Sequence, residues 1–389
     1  MDGSKEMILR NFQVCTKCVY NQDVPQISFD ESGECNYCKQ HKELCIKYPD
    51  DSKGETILKK IFDEIKRKEQ KKKYDCIVGV SGGCDSSFLL VKCVEYGLKP
   101  LAVHFDNTWN SKIATQNIKN LLDKLKIDLI THVVDAKEYE DIIKSFLLSG
   151  TKNLDAAYDI GLASVLYRTA EKFNLKYIID GHSFRTEGIA PLDWSYMDGK
   201  YISSIHKKYG KIKMKTYPNL SLVDFIRYTA VRRIKRIRPL YYIKYPKEKV
   251  KKMLTRKYNW KWYDGHHLEN IFTNFFVNYV LINRWKNDLR LLGHAALVRT
   301  GQLSREKALK ELEKEPICNE EIVEVVKKRL NLNDEDLGRL MVLPKKTWRD
   351  FKTYKKTFEN LRPFFYVLFK LSIIPESFYI KFCFPLDKK

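Results

Sequence analysis

The sequence predicts an α/β protein: a parallel sheet with helices on both faces, preceded by a small cysteine module and followed by a helical C-terminal domain. Three observations predict it. Between residues 74 and 245 short β-branched runs alternate with helical patterns, the order that builds a parallel sheet covered on both sides. Two C-x2-C pairs stand near the start. Beyond Tyr245 the alternation stops and helical spacing takes over, as in Ile322, Val325, Val326 and Leu330.

Length and composition set the bounds. A chain of 389 residues has room for two or three buried cores, and its 44% hydrophobic content excludes wholesale disorder. The formal charge of +22 points toward a polyanion such as RNA, a nucleotide or an anionic membrane face. Lysine runs such as Lys71-Lys72-Lys73 read first as solvated faces. No secretory leader pattern opens the chain and no apolar run reaches spanning length, since residues 363–384 are interrupted by Lys370, Glu376 and Lys381. A cytoplasmic protein is the expectation.

In chain order, Cys15, Cys18, Cys35 and Cys38 give C-x2-C, sixteen residues, C-x2-C. Two such knuckles place four thiolates around one zinc ion, and a closed all-thiolate set marks a structural site. Residues 26–29 alternate like a short strand between the knuckles. A segment this small has little core, so bound metal would supply much of its folding free energy. This zinc module takes residues 1–49. Residues 50–73 follow as a charged linker helix with Ile57, Ile61 and Ile65 at four-residue spacing.

The first strand, at 77–80, runs straight into Ser81-Gly82-Gly83-Cys84-Asp85-Ser86-Ser87 and then into the apolar helix start Phe88-Leu89-Leu90-Val91. Such a turn suits phosphate. Gly82 and Gly83 allow torsions closed to other residues, and helix N-terminal N–H groups with the Ser81, Ser86 and Ser87 hydroxyls donate to anionic oxygens. Asp85 would hold a magnesium ion rather than face the phosphate bare. The pattern is neither G-x-x-x-x-G-K-[ST] nor G-x-G-x-x-G, which disfavours kinase and dinucleotide readings. A Gly-Gly turn with a Ser/Asp helix cap is the bland alternative. SGGCDSS resembles the SGGxDS loop of the PP-loop ATP pyrophosphatases, and that resemblance implies ATP split to AMP and pyrophosphate.

Further strands are expected at 101–106, 129–134 and 176–180, with helices over 118–125, 139–148 and 156–173; the whole, 74–245, forms the PP-loop domain. Ligands in such sheets collect at the carboxyl ends of the strands. Three loops therefore gather there: SGGCDSS, the turn carrying Asp106 and Asn107, which would meet the adenine or ribose of ATP, and residues 181–188. The basic segment 232–238 reads as a helix with Val231, Ile234 and Ile237 as its buried stripe, its cations solvated or bound to phosphate. Residues 246–389 form the helical domain, and its aromatic, basic end at 363–384 reads as a core helix, a partner-docking surface or a weak membrane contact.

GHSFRTEGIAPLDWSYMDGKYI (181–202), taken with CTKCVY, CNYC, GHHLEN (265–270) and LVRTGQLSREKAL (297–309), resembles the N-acetyl sugar amidotransferases of bacterial surface-polysaccharide and nonulosonic-acid pathways, nearly end to end. The resemblance implies conversion of an acetamido group on a sugar, often nucleotide-linked, to an acetamidino group. It also implies ammonia from a separate glutaminase working with a cyclase-like subunit, no stable nucleic acid partner, and His266, His267, Glu269 and Asn270 closing over the substrate. The chemistry stands without the family. An amide oxygen is a poor leaving group, so it must first attack the α-phosphorus of ATP; ammonia then adds and AMP leaves. Positioning and charge neutralisation dominate such catalysis, a task for the loop backbone, magnesium on Asp85 and cations such as Arg185. Glu187 or His182 is expected to deprotonate incoming ammonium. The rival function is a tRNA-modifying PP-loop enzyme of the thiolation type, against which Cys76, Cys84 and Cys93 stand separately in a strand, a loop and a helix.

Overall fold

The structure, a computed structural model, describes residues 13–192, 194–263, 265, 268–316 and 318–385. Two helices, α1 (Asn36–Lys47) and α2 (Ser52–Glu69), lead from the cysteine module to the sheet. Asp51 starts α2 by accepting from the N–H groups of Lys53 and Gly54. Strand and helix then alternate: β1 (Cys76–Gly79), α3 (Cys84–Glu95), β2 (Pro100–Asp106), α4 (Lys112–Leu125), β3 (Leu129–Val133), α5 (Ala136–Ser149), α6 (Ala156–Lys172) and β4 (Tyr177–Ile179). After α7 (Gly199–Tyr209) and α8 (Leu222–Ile226) comes β5 (Lys235–Ile237). Every neighbouring pair is parallel and the order is β3-β2-β1-β4-β5. The winding reverses between β1 and β4, and the loop after β1 opens at that crevice.

Period-two alternation gives the sheet its two faces. Ile77, Leu101, Val103 and Phe105 pack with α5 and α6, whereas Val78, Val80 and Ala102 pack with α2, α3 and α4. The fold class read from the sequence is the fold observed.

Three expectations change. The buried stripe of α2 is Leu58, Phe62 and Ile65, and Ile57 is exposed, because the helix turns its aromatic toward α3 and the sheet. The short strand at 26–29 reduces to one bridge, Phe29 to Cys35. Residues 232–238 are not a helix: Lys235 to Ile237 add β5 to the sheet edge through Ile178 and Arg236, while Val231 is exposed. Pairing with β4 decided this, and it overrides the three-residue spacing of Val231, Ile234 and Ile237 that suggests a helix.

Beyond residue 246 the described chain is helical: α9 (Lys247–Tyr258), α10 (Ile271–Phe275), α11 (Leu281–Trp285), α12 (Arg290–Arg299), α13 (Arg305–Glu313), α14 (Glu320–Leu330), α15 (Asp334–Val342), α16 (Lys355–Asn360), α17 (Arg362–Lys370) and α18 (Glu376–Cys383). These helices share cores with the sheet. Val250 and Leu254 of α9 join the α3 and α4 side; Phe275, Phe365 and Leu368 join the α5 and α6 side. Among the described residues no helix is long and apolar enough to cross a membrane.

Phe62→Ala is expected to lower the unfolding free energy by about 3–5 kcal/mol in denaturant titration. A loss below about 1 kcal/mol would mean that α2 only links the module to the sheet.

Candidate active site

The site is built around the turn from β1 to α3. Gly82 has φ +82°, and a Cβ there would lie 2.3 Å from the Ala114 carbonyl oxygen of α4, so only glycine fits. Its own carbonyl accepts from Trp260 Nε1 at 2.9 Å and Asn117 Nδ2 at 3.2 Å, which lashes the turn to α4 and the segment after α9. At Gly83, the N-cap of α3, a Cβ would meet Tyr263 Oη at 3.0 Å and Glu269 Oε1 and Ser81 Oγ at 3.1 Å. Its absence keeps a polar niche open beside the helix N-terminus.

A cavity of about 510 Å³ runs from this turn along the carboxyl ends of β1 and β4. Asp85 lines it, accepting from Tyr245 Oη at 2.5 Å and facing Lys247 Nζ at 3.5 Å. Burial opposes the Lys247 charge, but Asp85 beside it raises the ammonium above its ordinary range. Asp180, at the end of β4, meets Arg236 at 2.8 Å and Arg238 at 3.4 Å. Burial would push the Asp180 carboxyl up, yet the two guanidinium groups hold it well below the usual carboxylate range.

His182 and Glu187 face each other across the loop after β4, Nε2 to Oε2 at 3.7 Å, and both line the cavity. Burial, reinforced by Arg238, pushes His182 down to about 4. Burial, reinforced by Asp85, drives the Glu187 carboxyl well above its ordinary value. Both shifts favour the uncharged forms, so of the two expected bases His182 is the one held free to take a proton. Glu269 reaches the turn from the far side, accepting from Ser81 Oγ at 3.1 Å.

Of the residues expected from sequence, Ser81, Gly83, Asp85, Ser86, His182, Glu187 and Glu269 converge on the cavity. Gly82 and Ser87 belong to the turn without lining it, and Ser87 is buried. Arg185 does not reach it: its guanidinium donates to the carbonyls of Tyr241 at 2.6 Å and Tyr48 at 2.7 Å and meets Asp50 at 3.3 Å. Asp106 and Asn107 also lie outside it. Asp106 Oδ1 accepts from Thr108 N–H and Asn110 Nδ2, and Asn107 Oδ1 from Trp109 N–H and Asn270 Nδ2. Asn270 itself caps α10. His266 and His267 lie outside the described residues. Sequence reasoning missed Asp180, Tyr245, Lys247 and Tyr263, whereas Arg236 and Arg238, which line the cavity, belong to the basic segment 232–238 that it singles out. Asp180 ends an expected strand, so the strand-end rule had pointed to it.

The four module cysteines are buried with their sulfur atoms within 4.8 Å of one another, Cys15 to Cys38 and Cys18 to Cys35 at 3.8 Å. A zinc–sulfur bond of about 2.3 Å puts tetrahedral thiolates about 3.8 Å apart, so the set fits that ion. Backbone N–H groups of Lys17, Tyr20 and Cys35 point at the sulfurs, and Arg299 of α12 lies 3.2 Å from Cys18 Sγ and 3.3 Å from Cys38 Sγ. These donors offset thiolate charge. Tyr20 Oη donates to the Ile189 carbonyl at 3.0 Å and His41 packs edge-on to Phe184 at 5.4 Å, so the module grips the site loop directly.

Fold and site together define the class: a parallel α/β protein with a glycine-serine turn after its central strand, a four-cysteine module and a helical cap. Within it, residues 269–362 match the family model described as LPS biosynthesis protein WbpG-like, C-terminal domain, which begins at the Glu269 beside Ser81. An uncharacterized protein of Methanocaldococcus jannaschii is 29% identical over 323 residues, 81% of this chain and 98% of that protein. Among solved structures, the NH3-dependent NAD synthetase of Campylobacter jejuni aligns over 75% of this chain and 98% of its own at 15% identity with a TM-score of 0.29. The NMN synthetase of Francisella tularensis aligns over 58% and 93% at 15% identity with a TM-score of 0.28.

Arg299→Met is expected to weaken zinc retention roughly 10- to 100-fold in chelator competition while the sheet stays folded. Unchanged retention would mean that the backbone donors alone suffice.

Proposed function

We propose that this chain is an ATP-dependent amidotransferase of lipopolysaccharide or O-antigen biosynthesis, converting an acetamido group of a sugar, often nucleotide-linked, to an acetamidino group. The observation that carries the reading is the meeting of the SGGCDSS turn with Glu269, the first residue of the WbpG-like region, at one cavity. The reaction proceeds in two displacements. The amide oxygen attacks the α-phosphorus of ATP, the bond to the pyrophosphate breaks, and an imidate-AMP forms. Ammonia then adds to the imidate carbon, the carbon–oxygen bond breaks, and AMP leaves with the former amide oxygen.

The chain's part is to hold charge and place atoms. Turn N–H groups and the Ser81 and Ser86 hydroxyls hold the departing pyrophosphate, and Arg236 and Arg238 face the same space. Neutral His182 accepts the proton that the adding nitrogen sheds. Magnesium fits here, because Asp85 lines the cavity and Glu269 Oε2 is a buried oxygen with no hydrogen-bond partner among the described residues. When bound, it would neutralise polyphosphate charge. A glutaminase subunit, with its cyclase-like companion, supplies ammonia in the cytoplasm, where ATP is found.

Purified chain given ATP, magnesium, ammonium and diacetamido nucleotide sugars is expected to release AMP and pyrophosphate together and to return an acceptor whose mass shows oxygen exchanged for NH. Pyrophosphate release that depends on tRNA and on no sugar would overturn the proposal. Asp85→Asn is expected to cut AMP formation by roughly 100-fold or more, with zinc content unchanged by elemental analysis.

A further inference from the structure

The cavity has a second end. Away from the turn it is walled by Asp159 of α6 and by Tyr354, Phe358, Phe378, Lys381 and Phe382 from the C-terminal segment, beyond the turn-lining groups. The rings pack against one another: Phe378 and Phe382 stack at 4.6 Å, and Phe358 meets Phe378 edge-on at 5.6 Å. Lys381 stands among them with Nζ 3.2 Å from Ser195 Oγ. Its backbone is held from below, because Lys355 Nζ donates to the carbonyls of Lys381 at 2.9 Å, Phe382 at 3.1 Å and Phe384 at 2.6 Å, closing the end of α18. Burial, with Lys355 adding to it and Asp159 opposing, pushes the Lys381 ammonium down to about 8. Asp159 across the same pocket favours the charged form, and an anionic ligand beside Lys381 would favour it further.

We propose that this end of the cavity is the acceptor half-site, taking a sugar ring against the phenylalanines and pairing Lys381 with an anionic oxygen group on that sugar, a carboxylate or a phosphate. The inference rests on the amidotransferase reading for the identity of the acceptor. It places substrate choice on α18, outside the 269–362 region that matches a family.

Calorimetric binding to the full chain tests it with three probes: neutral N-acetylglucosamine, N-acetylneuraminic acid bearing a carboxylate, and UDP-N-acetylglucosamine bearing a diphosphate. One or both anionic probes should bind roughly tenfold or more tightly than the neutral one, and the arm that does identifies the group. Lys381→Met should remove that preference and Lys381→Arg should keep most of it. Asp159→Asn, which leaves Lys381 in place, should tighten the anionic probe several-fold and leave the neutral probe unmoved, so the outcome is decided even if Lys381→Met fails to fold. Equal binding of all three probes to the wild type, or equal weakening of all three by Lys381→Met, would overturn the proposal. Failure of the wild type to form AMP with any acceptor overturns the amidotransferase reading instead, and leaves the anion preference standing as measured.

Discussion

A carboxylate at the end of a central strand can stay ionised in a poorly hydrated crevice only with cations against it. Asp180 is in that position, and Arg236 and Arg238 answer it. Much follows from this. The segment carrying the two arginines must run beside β4, so it pairs as β5 and extends the sheet; its alternation then sends Arg236 toward the crevice and leaves Lys235 and Ile237 on the opposite side. The same two guanidinium groups line the cavity.

Gripping the crevice from outside is the thiolate module. Tyr20, His41, Tyr48 and Asp50 all contact the loop after β4, through the Ile189 carbonyl, the Phe184 ring and the Arg185 guanidinium. Arg185 is thus a clamp between module and loop, while Arg236 and Arg238 are the guanidinium groups that line the cavity. A metal held by these thiolates would act at a distance, by stiffening the module against the loop that carries His182 and Glu187. From the other direction α12 supplies Arg299 to the sulfurs, and a Cβ at Gly188 would strike the Leu292 carbonyl at 2.6 Å, so the cysteine module and α12 close on the same loop.

Protonation in the crevice is arranged by depth. Desolvation pushes Glu187 up and His182 down, each toward its uncharged form, whereas the two arginines beside Asp180 overcome the same effect and hold its carboxyl low. An imidazole biased to its free form beside a carboxyl biased to its acid form can take or shed a proton as a charge arrives, without moving its backbone.

What the sequence by itself determined is whatever depends on near neighbours in the chain. The four β-branched runs, the SGGCDSS turn with its two glycines and the C-x2-C pairs are local patterns, and each appears where the sequence put it. Tertiary structure decided what depends on partners far away. Residues 232–238 have the composition of a solvated helix, and only the open edge of β4 makes a strand of them. Arg185 has the look of a catalytic cation, and only the carbonyls of Tyr48 and Tyr241 show where its charge goes. Lys381, some 300 residues from the turn, shares a cavity with it because aromatic packing brings α18 back against α6 and α8. Backbone torsions and short spacings are written residue by residue, while the company a buried charge keeps is settled only when the whole chain has packed.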